Sequence, residues 1–357
     1  MAKPLAVLLL PRTLEQFILR DQAEDLLRAP AVLAVEPAKL PYGAFGRLPM
    51  LAGDAIAGTQ ARRLRKHLPG DAKVVVIFHP LQYQLARALV GRDKQGDAEL
   101  WYGRWDRYEM AYDASPRLRE RLATLHDLAA TRSALTFVAS TELERLEREA
   151  GREPVLVPLA ADTFPSLPRD AGGAAPADDP AEVAAVSLGH LGRRTDWALL
   201  RGLRERMPAL RLILVGARHD DEATGDADFA ALVADPRVEW LGRLDDTAAA
   251  AAIARADVGI VPFRVEPFNE AALPYRILKY ARMGRRTVCP ALPGARTWER
   301  AVTFADGVDA FAAALETYRG ARTEPDLELR QWALEQTAFR QNAPLWDRLE
   351  ELGIARR

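Results

Sequence analysis

Short unbroken runs of apolar residues alternate along the chain with stretches in which apolar side chains recur every three or four positions. The runs at 5–10, 32–35, 74–78 and 134–140 in the first half, and at 183–188, 212–216, 238–241, 258–261 and 287–289 in the second, have the length and continuity of strands buried on both faces of a parallel sheet. Residues 100–108 and 154–162 read as strands running into turns. Helical spacing marks 14–27, where Leu14, Phe17 and Ile18 repeat, then 142–149, 196–206, the neighbourhood of Phe229, 247–255, 275–283, 307–318 and one or two helices in 327–352. Strands alternating with helices of this length predict α/β domains wound on parallel sheets. The Pro-, Ala-, Gly- and Asp-rich stretch from 163 carries no apolar period and reads as a linker, 163–182, between domains at 1–162 and 183–325, with helices at 326–357. Residues 40–51, rich in Pro and Gly, read as a loop, and Trp332, Phe339 and Trp346 as core anchors.

Punctuating residues sharpen several ends. Pro274 stands where a proline opens a helix and Gly284 where a glycine closes one, so 275–283 is a compact helix with signals at both ends. Ser140 precedes an acidic first turn, and Asp245 or Asp246 caps the Ala-rich helix 247–255. At 357 residues the chain is too long for one ordinary domain and comfortable for two. Lys and Arg number 49 against 50 Asp and Glu, a net charge of −1 that gives no reason to expect nucleic acid as a partner. The single cysteine, Cys289, excludes an internal disulfide, suits a reducing cytoplasm and reads as a small buried hydrophobe. No run approaches the ~20 apolar residues that span a bilayer, and the apolar start lacks a small-residue cleavage site, so it reads as a first buried strand.

The strongest chemical signal lies in 256–294. Ala256 and Asp257 open an apolar strand, a mostly polar loop follows, and Pro274, Tyr275, Arg276, Ile277, Leu278, Lys279 and Tyr280 lead through a short helix to Gly284 and Val288. A helix N-terminus offers unsatisfied N–H groups to a diphosphate, and Arg276 adds a planar cation able to pair two phosphate oxygens at once. In this order the residues resemble the donor-nucleotide signature of GT-B glycosyltransferases of the bacterial group 1, or family 4-like, kind; Cys289 with Pro290 resembles the xanthan-type glucuronosyltransferases. The resemblance implies an α/β GT-B fold, two Rossmann-like parallel-sheet domains facing a central cleft, in which the second binds a nucleotide-diphosphate-sugar donor, UDP- or GDP-linked, and the C-terminal helices return to the first. It implies no cofactor and no metal, because helix dipoles and cations meet the charge in such enzymes. Where the pattern has a Glu that accepts hydrogen bonds from the nucleotide ribose, this chain has Lys279, whose ammonium cannot accept. The ribose is then held differently, or the nucleotide more weakly.

The same resemblance distributes the remaining candidates. The loop with Gly189, Gly192, Arg193 and Arg194 matches the glycine loop of such enzymes and can turn backbone N–H groups and one arginine toward the diphosphate. Glu266, in a Glu-Pro-Phe, and Asn269 with Glu270 are placed to touch donor sugar hydroxyls, with helix capping the alternative for the latter pair. In the first domain His79 follows the strand 74–78, where ligands gather in open α/β sheets, or it packs against the next turn. Tyr102, Asp106 and Tyr108 resemble a Tyr-Asp-x-x-Asp-Asp-Tyr segment, with Gly103 and Arg107 where that pattern has acids. If the reaction inverts, Asp106 or His79 deprotonates the acceptor; if it retains, neither is needed. The partners implied are the nucleotide sugar and a saccharide or lipid-linked acceptor of envelope or exopolysaccharide synthesis. The basic stretch 61–68 is either a solvated helix face or a peripheral contact with the cytoplasmic membrane. No Walker loop, HExxH, CxxC or GxSxG occurs, and Asp-x-Asp occurs as Asp226 and Asp228 in a polar loop. A second reading, suggested by Lys279, is a catalytically weak module of the same fold that binds nucleotide or acts as a scaffold.

Overall fold

The computed structural model describes residues 5–37, 42–91, 98–112, 114–167, 174, 179–218 and 227–356. The chain forms two compact units, one of Met1–Ala160 with Ala271–Leu273 and Ala338–Arg357, the other of Ala161–Glu270 with Pro274–Thr337. Much of the stretch read as a linker, and Asp226, lie outside the described residues; Asp228 sits in a helix, Ala227–Val233.

The first unit is built on six parallel strands, β1 (Leu5–Leu9), β2 (Val32–Val35), β3 (Ala72–Ile77), β4 (Glu99–Arg104), β5 (Leu135–Val138) and β6 (Val155–Leu156), in the order β2-β1-β3-β4-β5-β6. Every residue of β1 is buried, which is why it carries no alternation of apolar and polar positions. Val7, Leu9, Val75, Ile77 and Tyr102 share one core with Leu122 and Leu125 of the helix Pro116–Arg132. Within this unit the helix Ala343–Glu351 is fastened through Asp25, a buried carboxylate on the helix Arg20–Leu26. Asp25 accepts from Trp346 Nε1 at 2.8 Å, Asn342 Nδ2 at 3.0 Å and Arg356 Nη2 at 2.9 Å.

The second unit repeats the plan with β7 (Val183–Leu188), β8 (Leu210–Val215), β9 (Val238–Trp240), β10 (Val258–Ile260), β11 (Thr287–Cys289) and β12 (Val302–Phe304), in the order β12-β11-β10-β7-β8-β9, all parallel. The Asp257 that opens β10 is a structural anchor. Its carboxylate takes Arg322 Nε at 2.9 Å and Nη2 at 2.6 Å and closes on the backbone N–H of Ala184 at 2.8 Å, so a fully buried charge is paired on both oxygens. In each sheet the strand order reverses once, between β1 and β3 and between β7 and β10. Such reversals splay the connections to opposite faces and open a crevice at the carboxyl ends of the strands.

Four local expectations change. Residues 50–65 are a helix, Met50–Arg65, and only a short 3-10 turn at Tyr42–Gly46 remains of the expected loop among the described residues; the helix buries Gly53, Ala57 and Ala61, which are too small to make an apolar stripe. The segment 14–27 divides into a 3-10 turn, Leu14–Gln16, and the helix Arg20–Leu26, because Phe17 turns extended to bury its ring and leaves Ile18 exposed. The signature helix runs Arg276–Arg282, with Tyr275 at its N-cap and Gly284 closing it at φ +66°. Of the three aromatic anchors Trp346 is buried, Trp332 is half-buried and Phe339 is exposed, its ring covered by the Arg356 guanidinium at 3.5 Å. Among the described residues no helix is long and apolar enough to cross a membrane.

Candidate functional site

At the reversal of the second sheet two loops meet, one following β7 and one following β10. They are tied by backbone bonds from Asp196 N to Pro262 O at 2.8 Å and from Arg264 N to Arg194 O at 3.0 Å, and by a bridge between Thr195 and Phe263. This pairing turns the Phe263 ring under two guanidiniums: Arg276 lies 4.8 Å from its centroid and Arg194 4.7 Å. Arg194 also lies 4.8 Å from the Phe268 ring and donates through Nε to Asn269 Oδ1 at 2.8 Å, while the fully buried Asn269 returns Nδ2 to Arg264 O. Arg276 donates to Ser187 Oγ at 3.3 Å, and no carboxylate pairs with it among the described residues. Loss of hydration lowers the Arg276 pKa; Tyr280 works against that shift and the Arg194 charge adds to it. A guanidinium remains charged at neutral pH all the same.

Two glycines make room for this cation. A Cβ on Gly189 would stand 2.5 Å from Arg276 Nη2, and a Cβ on Gly216 would stand 1.8 Å from the Gly189 carbonyl. One turn along the helix, Tyr280 fixes its register. The hydroxyl accepts from Leu188 N at 2.7 Å and donates to Ile260 O at 3.2 Å, and the ring lies so close on Gly259 that a Cβ there would sit 2.1 Å from it. Burial raises the Tyr280 pKa to about 12, so the phenol stays protonated for both bonds.

The candidates named from sequence separate into groups. Arg276, Arg194 and the loop with Gly189 and the buried Gly192 come together; Arg193, on the same loop, is exposed. Lys279 and Tyr275 form a second group, with the Lys279 ammonium 2.9 Å from Asp246 Oδ1 and over the rings of Phe164 and Tyr275. Glu266 and Glu270, at either end of one turn of the helix Pro267–Ala271, are half-buried, and their carboxylates have no hydrogen-bond or ion-pair partner among the described residues. Cys289 is buried, and burial pushes its thiol pKa up. Phe263, Ser187 and Tyr280 escaped the sequence reading as site residues. The Val-Pro-Phe following β10 was the available signal, since an apolar ring directly after a buried strand has a cover to find.

In the first unit, at the reversal between β1 and β3, His79 caps the 3-10 turn Pro80–Gln82: its Nδ1 accepts from Leu81 N at 3.2 Å, and burial lowers its pKa to about 3. The ring is therefore neutral with its proton on Nε2. It sits between Tyr42 and Tyr108, at ring separations of 4.9 and 4.4 Å. Tyr108 donates to Phe78 O at 3.0 Å, and the negative charge of Asp106 adds to the burial that raises its pKa. Tyr42, His79 and Tyr108 thus form one row of rings, and Asp106 lies two positions before Tyr108 in the chain. Arg104 is committed elsewhere, to Glu147 at 2.6 Å and Glu109 at 2.8 Å. Among the described residues no group of three or more His, Cys, Asp and Glu is placed to hold a metal ion.

Comparison with known proteins shows what this geometry is similar to. Residues 196–318 match the family described as "Glycosyl transferases group 1". That match spans about a third of the chain, and the fold of the whole is GT-B. A Bacillus subtilis (strain 168) protein, "Putative teichuronic acid biosynthesis glycosyltransferase TuaH", is 24% identical over 117 residues, a match that spans 33% of this chain and 29% of that relative. Among solved structures, sucrose-phosphate synthase from Thermosynechococcus elongatus superposes with a TM-score of 0.71 at 15% identity, covering 98% of this chain and all of that one. Anabaena HepE in complex with UDP and glucose superposes with a TM-score of 0.66 at 14% identity, covering 97% of this chain and 100% of that one. At these identities the two structures speak to the fold.

Proposed function

We propose that the protein is a glycosyltransferase that moves a sugar from a nucleotide-diphosphate-sugar donor, UDP- or GDP-linked, to a saccharide or lipid-linked acceptor. The observation that carries this reading is the pair of guanidiniums, Arg276 and Arg194, on the Phe263 ring at the reversal of the second sheet. Two like charges held together, one of them without a carboxylate partner among the described residues, favour a polyanion between or beside them. Negative charge grows on the departing diphosphate as the glycosidic bond breaks, so fixed cations at that place lower the barrier. In this reading Glu266 and Glu270 accept hydrogen bonds from donor sugar hydroxyls, and Tyr275 with Lys279 takes the nucleoside. Asp246, held by Lys279, supplies the acceptor oxygens that an ammonium lacks.

On the acceptor side Asp106 is the base of an inverting reaction, and the Nε2 proton of His79 suits it to orient an acceptor oxygen. The reaction needs no cofactor and no metal in this account, because side-chain cations meet the leaving-group charge. Hexosyl or glucuronosyl transfer in envelope or exopolysaccharide synthesis agrees with the name of the Bacillus subtilis relative. The exposed cations in 62–66 suit a cytoplasmic enzyme that touches the inner membrane surface. A purely binding module is not favoured, since Lys279 is paired with Asp246 and leaves the Arg276 cluster unaltered.

The test is thermal stabilisation by UDP, GDP, CDP, ADP and TDP, each with and without EDTA. A nucleotide at a hundred times its dissociation constant adds about 2.7 kcal/mol. A shift with one nucleotide, indifferent to EDTA and lost in Arg276→Ala, is expected; with its donor sugar, that variant should lose roughly 2–4 kcal/mol of transition-state stabilisation. No shift with any nucleotide would reject the reading.

A further inference from the structure

The first unit holds a cavity of about 340 Å³ at the carboxyl ends of β1 and β2, beside the reversal of its strand order. Its walls are carbon: Leu9 and Leu10 from the end of β1, Val35 from β2, Phe45, and Leu64 and Leu85 from the helices Met50–Arg65 and Tyr83–Val90. Polar groups stand at the edge. Glu36 spends one carboxylate oxygen on the backbone N–H of Leu14 at 2.8 Å, while the side chains of Gln60 and the exposed Arg63 make no hydrogen bond or ion pair among the described residues. A sugar ring in such a space would leave its hydroxyls against hydrocarbon without partners, which costs more than it returns.

The cavity is continuous with the row that contains His79. Tyr42 lines it with its ring tilted against the His79 ring, and Gln82 lines it while its Oε1 accepts from His79 N at 3.0 Å and its Nε2 donates to Leu9 O at 2.8 Å. One wall therefore serves both the apolar space and the residues assigned above to the acceptor hydroxyl.

We propose that this cavity takes an apolar group attached to the acceptor, an aryl ring or the branched carbons of an isoprenoid, and so holds the receiving hydroxyl beside His79 and Asp106. The proposal rests on the transferase reading. The volume lies at the lower end of the ~300–1,000 Å³ of small-molecule sites and suits one or two rings or a few branched carbons.

Titration calorimetry with methyl, 2-naphthyl and citronellyl glycosides of one sugar tests it, on the full chain and on Leu64→Trp and Leu85→Trp, which fill the space from two different helices. The apolar glycosides should bind roughly tenfold or more tightly than the methyl glycoside, as expected for an apolar group entering a matching pocket. Both filling variants should lose that preference while keeping their stabilisation by nucleotide, and Leu64→Ala should shift the preference toward the larger group. Whichever of the naphthyl and citronellyl compounds binds better identifies an aryl or an isoprenoid source. Equal binding of all three glycosides, or a preference that survives in folded Leu64→Trp and Leu85→Trp, overturns the proposal. A preference abolished by the filling variants in a protein that no nucleotide stabilises would sustain the cavity and reject the transferase reading.

Discussion

Gly189 has a φ of +115° and an Arg276 nitrogen where its side chain would be, so one residue supplies both the turn after β7 and the room for a cation. Gly189→Ala should cost about 1–3 kcal/mol of stability through the strained backbone and should also displace the guanidinium. Denaturant melts with and without nucleotide separate the two effects: the loss of stability appears in both, and the nucleotide increment shrinks. Arg276→Lys keeps a charge but not the planar two-donor edge, and should retain part of the increment that Arg276→Ala abolishes. Arg276 was legible because Pro274 and Gly284 bracket its helix in the sequence. Its partner ring was not: Phe263 stands in a polar loop, and only the pairing of Thr195 with Phe263 across 68 positions of chain brings it under the cation. Of the two neighbouring arginines, no local pattern distinguishes the exposed Arg193 from Arg194, whose place is set by Asn269 and two phenyl rings.

At the scale of elements, the strands were the legible part. β7, β8, β10 and β11 are short apolar runs bounded by turn residues, and burial on both faces is what makes such runs continuous. Helices were read less completely. The 17-residue helix Pro116–Arg132 turns five residues inward, among them His126 and two alanines, and its remaining charged positions hide the period. It also contributes His126 to a buried ion network: Glu147 of the helix Thr141–Glu149 is fully buried against Arg104, Arg152 and His126. Burial would raise the Glu147 pKa, but the hydrogen bond and charge of His126, with Arg104 and Arg152, bring it from 4.5 down to about 2. A carboxyl depressed in the folded state stabilises at pH values above its unfolded pKa and loses that contribution as pH falls through the folded one. Stability should therefore fall between about pH 4.5 and 2, by about 3 kcal/mol from this group. Glu147→Gln should flatten that segment of the pH profile and, by leaving Arg104 buried with one acid fewer, cost roughly 3–5 kcal/mol at neutral pH. In the second unit, Tyr280→Phe keeps the ring on Gly259 but leaves Leu188 N and Ile260 O without their partner, a cost of about 1–3 kcal/mol, and should weaken nucleotide stabilisation by loosening the helix that bears Arg276.

At the scale of the molecule, each unit has its own sheet, its own core and its own buried acid tied to basic partners: Asp257 with Arg322 in one, Asp25 with Arg356 in the other. The chain enters the second unit after Ala160, touches the first again at Ala271–Leu273 and returns to it at Ala338, so residues distant in sequence complete the first unit and Asp25 is where the last of them are secured. Asp25→Ala strips an acceptor from Trp346 Nε1, Asn342 Nδ2 and Arg356 at once, leaving the buried Trp346 N–H with nothing to bond and Asn342 Nδ2 with Gln22 O alone. The expected cost is roughly 3–5 kcal/mol, and hydrogen exchange should show lost protection at residues 343–354. The nucleotide site proposed above uses residues of the second unit only. At a temperature where Asp25→Ala is still folded, its affinity for the stabilising nucleotide should then stay within about twofold of the parent, as expected for changes at well-separated positions. A large loss of nucleotide affinity in that variant would mean that the second unit does not hold the nucleotide by itself, and would move the donor site away from the Arg276 and Arg194 pair.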